Sequence, residues 1–124
     1  MSETKSDGRD CERRRRQAYE RLGTTTPTCG ECGETDWRCL EAHHVAGERY
    51  GGGRVILCRN CHRKTSDPQK DHPESLDATP SWLERIGHFL LGLADLLALA
   101  VEKLQAFGRE LIERARQLGN EATP

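Results

Sequence analysis

Three stretches decide the fold: Cys29-Gly-Glu-Cys32, Leu40-Glu-Ala-His43-His44-Val45, and Gly51-Gly-Gly-Arg54-Val-Ile-Leu-Cys58-Arg-Asn-Cys61-His62. The outer two each carry a CxxC pair. Tetrahedral zinc takes four thiolates or imidazoles, and one CxxC turn offers two sulfurs from a single knuckle. Two knuckles flanking residues 33–57 close one structural zinc site, with Cys29, Cys32, Cys58 and Cys61 as ligands. A lone CxxC is the redox alternative. Gly30 and Gly33 suit the tight turn of the first knuckle. Cys11 and Cys39 are left over and read as ordinary reduced cysteines.

Composition explains why a metal is needed. The chain has 124 residues, of which 35% are hydrophobic, 5% aromatic and 31% charged. That length accommodates one compact domain with an appendage, but the apolar content is thin for a core, so site-closing zinc supplies order that burial does not. Met1 to Arg16 is polar and charged, unlike a secretory signal peptide, so the expectation is a cytoplasmic protein with reduced thiols. The apolar run Ile86–Ala94 ends at Asp95, well short of the ~20 residues of a membrane span. Secreted, transmembrane and large-core enzyme classes are therefore disfavoured.

The net charge of −1 hides an uneven distribution. Arg13–Arg16 is a run of four arginines, read most plainly as a solvated helix face. Between Arg49 and Ser66 every charge is positive: Arg49, Arg54, Arg59, Arg63 and Lys64. A basic strip beside histidines attracts phosphate even in a neutral protein. Adjacent residues on a strand face opposite ways, so His43 and His44 serve different roles. His62, following Cys61 at the start of a short helix, is displaced from the sulfurs. Three histidines that the zinc does not need suggest a second metal centre for phosphate chemistry. The plainer alternative makes them supporting residues of a zinc ribbon.

Four parts follow along the chain. Residues 1–23 form a polar N-terminus and a short basic helix, with Asp10 as N-cap and Gly23 as stop. Residues 24–66 are the knuckle domain, with β-like pieces at Arg38–Leu40, His44–Ala46 and Val55–Leu57. Residues 67–80, containing Pro68, Pro73 and Pro80, read as a linker. In 81–119, Ser81-Trp-Leu-Glu84 fits a capping box and Gly119-Asn120 a stop. Leu83, Ile86, Leu90, Leu93, Leu97, Ala100, Leu104, Phe107 and Leu111 alternate steps of three and four, the spacing of a helical seam. A helix over 82–118 is about 55 Å long, too long to lie against so small a domain. Lacking an obvious bend, it is expected to form a homodimer, with an intrachain hairpin and membrane-surface binding as alternatives. The apolar stretch lacks the Lys/Arg-rich opposite face of a membrane-surface helix.

Taken in order, CGEC…LEAHHV…GGG-RVILCRNCH resembles the HNH endonucleases, in particular their zinc-knuckle branch with the ββα-metal fold. The resemblance covers roughly Thr28 to Ser66. It implies a small zinc-stabilised ββα-metal domain; with the long C-terminal amphipathic helix that the spacing of 81–119 gives, the expected architecture is α+β. The resemblance further implies a DNA endonuclease in which His44 is the general base, and His43 and His62 hold a catalytic divalent ion (Mg²⁺, Mn²⁺ or Zn²⁺). An imidazole with its ordinary pKa of roughly 6.5 takes a proton from water at physiological pH. Arg54, Arg59, Arg63 and Lys64 would contact flanking phosphates, which position nucleic acid without reading sequence. Gly53 stands where the family carries its middle Asn. The rival reading is a non-catalytic zinc module that binds nucleic acid or protein, with the helix as an assembly element.

Overall fold

The computed structural model describes residues 8–121, in the order α1 (Gly8–Leu22), β1 (Leu40–His44), β2 (Arg54–Cys58), α2 (Arg59–Gln69) and α3 (Trp82–Glu121). The class is α+β, with one small sheet and one long C-terminal helix. Residues 1–7 of the polar N-terminus lie outside the described residues. Asp10 is not the cap of α1 but sits in its first turn, because the helix begins two residues earlier. Gly23 does end α1: its φ of 77° is a conformation that costs glycine little, and its N–H donates to Tyr19 O at 2.8 Å.

β1 and β2 pair antiparallel, with Leu40 opposite Cys58 and His44 opposite Arg54. The strands differ from those expected by a few residues. Residues Trp37–Cys39 form a 3₁₀ turn because the Asp36 carboxylate accepts from Arg38 N–H at 3.1 Å, so the chain becomes extended only from Leu40. Val45 and Ala46 lie beyond β1, although Val45 N–H still donates in register to Gly53 O at 3.1 Å. The β1–β2 loop passes through Gly47, Gly51 and Gly52, all at positive φ.

Cys58 ends β2 and starts α2. Its Sγ accepts from Cys61 N–H at 3.5 Å, so one sulfur serves both the knuckle and the helix N-cap. α2 continues through Pro68 to Gln69, three residues beyond the expected boundary at 66. The rest of 67–80 is fastened down. Arg49 donates to Ser75 O (3.3 Å) and Asp77 O (2.6 Å), Ser75 N–H donates to Tyr50 Oη (3.1 Å), and His72 Nε2 lies 2.9 Å from Asp95 Oδ2.

Ser81 and Glu84 form the reciprocal capping box that opens α3: Glu84 N–H donates to Ser81 Oγ and Ser81 N–H to Glu84 Oε1. The helix runs through Gly119 instead of stopping there. Its first half packs on the knuckle domain through His88, Gly92, Leu96 and Leu99, all buried. Leu96 and Leu99 join Leu40, Val45, Leu57 and three of the cysteines in the one core cluster described. A Cβ on Gly92 would lie 1.5 Å from Val45 O, so only glycine permits this approach. The helix thus does lie against the small domain, but only with its first half and by a face other than the expected seam.

Candidate metal centre and histidine site

The sheet register and the α2 cap bring the two knuckles together. The four sulfurs of Cys29, Cys32, Cys58 and Cys61 lie within 4.8 Å of one another, with Cys32 and Cys58 Sγ at 3.6 Å. Zn–S bonds of about 2.3 Å in a tetrahedron separate sulfurs by ~3.8 Å, so the cluster has the size of a metal site. Cys32 N–H donates to Cys29 Sγ at 3.5 Å, the counterpart of the Cys61–Cys58 bond. Burial opposes ionisation of Cys29, yet N–H groups of Cys58, Cys32 and Glu31 bring its thiol down to about 7. Burial and the crowding sulfurs push Cys61 far up. Four thiolates so close repel one another unless a cation shares them. The donor set is compatible with a structural metal ion such as zinc. Cys11 and Cys39 lie outside the cluster.

Strand alternation puts Glu41 and His43 on the face of β1 that meets α2, and His44 on the other. The His43 and His62 rings meet edge to face, with centroids 5.0 Å apart. His62 Nδ1 lies 2.9 Å from Glu41 Oε1, so the carboxylate fixes that ring and leaves Nε2 for another partner. His43 is 1% exposed and its Nε2 has no hydrogen-bond partner. Burial, with His62 and His44 nearby, lowers its pKa to about 4, so its imidazole is neutral, the form that ligates metal. The arrangement thus sets a buried imidazole nitrogen without a partner beside an imidazole held by a carboxylate. Among the described residues, however, only the four cysteines form a cluster of three or more converging ligands.

The basic residues divide. Arg59 and Arg63 line an open groove of about 720 Å³ together with His62, Glu41, Ser66 and Lys70. Arg59 Nε lies 3.7 Å from Glu41 Oε2, across a contact too exposed to contribute much. Arg54 stands apart, opposite His44 on the sheet and beside Arg21 and Leu22. Lys64 is on α2 but is not part of the groove wall. Gly53 has no side chain to offer; a Cβ there would reach Phe89 at 3.9 Å.

Sequence reasoning missed Glu41, Gln69 and Lys70. Glu41 was legible, since two residues before His43 on a strand means the same face. Gln69 donates to both His44 O (3.2 Å) and Val45 O (3.0 Å), tying the end of α2 to the end of β1. Nothing in its local sequence signals that role.

Fold and cluster together define a small α+β protein with a four-cysteine, metal-compatible centre and a long C-terminal helix. No family model, no curated protein and no solved structure matches the chain. Among the described residues, no helix is long and apolar enough to cross a membrane.

Proposed function

We propose that this chain is a metal-dependent endonuclease of the HNH type, a cytoplasmic protein that hydrolyses phosphodiester bonds in DNA on a ββα-metal scaffold. The observation that carries the reading is the partnerless, buried His43 Nε2 set against a His62 ring that Glu41 holds in place. The order of β1, β2 and α2, with the cluster of Cys29, Cys32, Cys58 and Cys61 that would hold a structural zinc, supports it. His43 and His62 would hold the divalent ion (Mg²⁺, Mn²⁺ or Zn²⁺), which when bound supplies positive charge to a phosphate oxygen and the leaving group. His44, at the last residue of β1, takes the proton from the attacking water. Gln69 fixes the His44 backbone, which limits the base's freedom. Arg59, Arg63 and Lys70 receive phosphates along the groove; Arg54 and Lys64 extend the positive surface beyond it.

Two observations favour a second reading, a zinc module that binds nucleic acid or protein without cutting it. His44 lies on the sheet face away from His62, and Gly53 leaves the loop ahead of β2 without an amide. Plasmid nicking with Mg²⁺ or Mn²⁺ separates the two. The nuclease reading expects metal-dependent nicking by the zinc-loaded wild type. It also expects His44→Ala to slow it by ~10²–10⁴-fold, the contribution of a general base, while DNA binding and zinc content persist. Wild-type protein that binds DNA but nicks nothing establishes the second reading.

A further inference from the structure

α3 carries two different stripes, and the fold uses one of them. His88, Gly92, Leu96 and Leu99 face the knuckle domain. On the other side, Leu83, Leu90, Leu97, Leu104, Leu111 and Leu118 recur at every seventh residue, and all are 57–72% exposed. Written as heptads, these leucines fill every a position, and Ile86, Leu93, Ala100, Phe107 and Arg114 fill the d positions. The docked residues fall on c, f and g, so a partner on the a/d seam need not compete with the knuckle domain.

We propose that the a/d seam of α3 pairs antiparallel with the same seam of a second copy, centred between Leu104 and Phe107. Two arguments fix the occupant and its direction. The first is area. Over 93–118 the seam and Val101 expose on the order of 700 Å² of apolar surface per chain, close to the ~800 Å² per partner of a standard interface. The second is charge. The g positions carry Lys103 and Glu110, whereas the e positions are Gly87, Ala94, Val101, Gly108 and Ala115, without a charge. A parallel pair brings g against e and makes no ion pair. It also sets the two Arg114 side chains against each other in one d layer. An antiparallel pair brings g against g: Lys103 meets Glu110 of the second copy twice by symmetry. In that register Leu104 faces Phe107, Leu97 faces Arg114, Leu111 faces Ala100 and Leu118 faces Leu93. The two Arg114 residues are then about 25 Å apart along the axis. The uncharged e flank, with Val101 against Gly108 and Ala94 against Ala115, lets the helices approach closely. The knuckle domains lie at opposite ends of the pair.

This pairing does not depend on the nuclease reading, and its test uses no activity. Sedimentation equilibrium on the full zinc-loaded chain should give a dimer, and Leu104→Asp a monomer with unchanged zinc content. Lys103→Glu and Glu110→Lys should each weaken the dimer on the order of tenfold, and the double variant should regain wild-type affinity, as coupled neighbours do. Lys103 also lies near Glu31 within its own chain. The swap cannot restore that contact, so recovery in the double variant reads the pairing between chains. A monomeric wild type, a higher oligomer, or charge variants that fail to rescue each other would overturn the proposal.

Discussion

At the scale of single residues, the structure separates what spacing dictates from what only packing reveals. Two CxxC pairs determine their own partners, because a pair of knuckles has little else to close upon; the cluster's four members follow from the sequence. The roles of the histidines do not. Spacing says that His43 and His44 diverge, but not that His43 is sealed in the interior while His62 is half-buried and held by Glu41. Glu41→Ala removes that hold and frees the His62 ring to rotate. Carboxylates behind a ligating histidine are worth 10–100-fold in metal affinity, so Mn²⁺ should bind ~10–100-fold more weakly to this variant by calorimetry. Glu41→Gln, which keeps an acceptor but not the charge, should lose less. Zinc content should stay at the wild-type level in both, since Glu41 touches none of the four sulfurs. Equal Mn²⁺ affinity in all three proteins would remove Glu41 from the site.

At the scale of elements, α3 was the most legible piece and also the most misleading. Its existence, capping box and first residue follow from local chemistry, because Pro80, Ser81 and Glu84 act within one turn. Which face it buries was not legible: the seam has the stronger hydrophobic signal, but docking runs through His88 and Gly92, a polar ring and a hydrogen atom, alongside Leu96 and Leu99. Close approach selects Gly92, and hydropathy assigns such a residue no weight. Gly92→Ala puts a methyl carbon into the Val45 carbonyl, which is backbone already held by Gln69. The expected cost is at least the ~1–3 kcal/mol of an overpacked core, measured by urea unfolding. Gly87→Ala, with open space at its Cβ, should be neutral or slightly stabilising. The linker expected at 67–80 misled for a related reason. Its prolines read as a break, yet Tyr50, Arg49 and Asp95 lie elsewhere in sequence and hold the segment in place.

The same interface carries a pH dependence. His88 is buried and stacked on Tyr50 at 3.5 Å, with His72, Glu84 and Arg49 around it. Burial lowers its pKa, with His72 and Arg49 adding to the effect and Glu84 opposing it. A histidine depressed in the folded state binds its proton more readily when unfolded. Its contribution therefore erodes as pH falls below the unfolded value of roughly 6.5 and is complete above it. The melting temperature should fall more between pH 7.5 and 5.5 for wild type than for His88→Phe, which keeps the ring stacking without the titration. Parallel curves for the two proteins would assign the acid sensitivity elsewhere.

At the scale of the whole molecule, one core joins the cysteine cluster to the docked half of α3, while the outer half of the helix touches neither. Cys29, Cys58 and Cys61 belong to the same buried cluster as Leu96 and Leu99. With so small an apolar core, a metal ion at the four cysteines is the expected source of the knuckle domain's order. Structural zinc contributes an apparent ~10–16 kcal/mol in small metal-folded domains, as much as a whole domain's usual stability. Cys58→Ala removes a ligand and the α2 N-cap together, and a strong chelator removes the ion itself. Both should abolish the ordered amide spectrum of residues 28–66 and release the first half of α3. The helix should not follow completely. If the seam is paired with a second copy, its apolar stripe is covered independently of the knuckle domain. The helical circular-dichroism signal and the dimer should then outlast the loss of the β1–β2 sheet. Leu104→Asp should convert this two-part loss into one in which chelation removes sheet and helix together. A single isolated helix has no packing to sustain it, since most helical stability in proteins comes from a packed apolar face. If chelation leaves the 28–66 spectrum intact, the four-cysteine cluster is not what holds the domain together. If it melts α3 completely in the wild type, the helix depends on the domain and not on a partner.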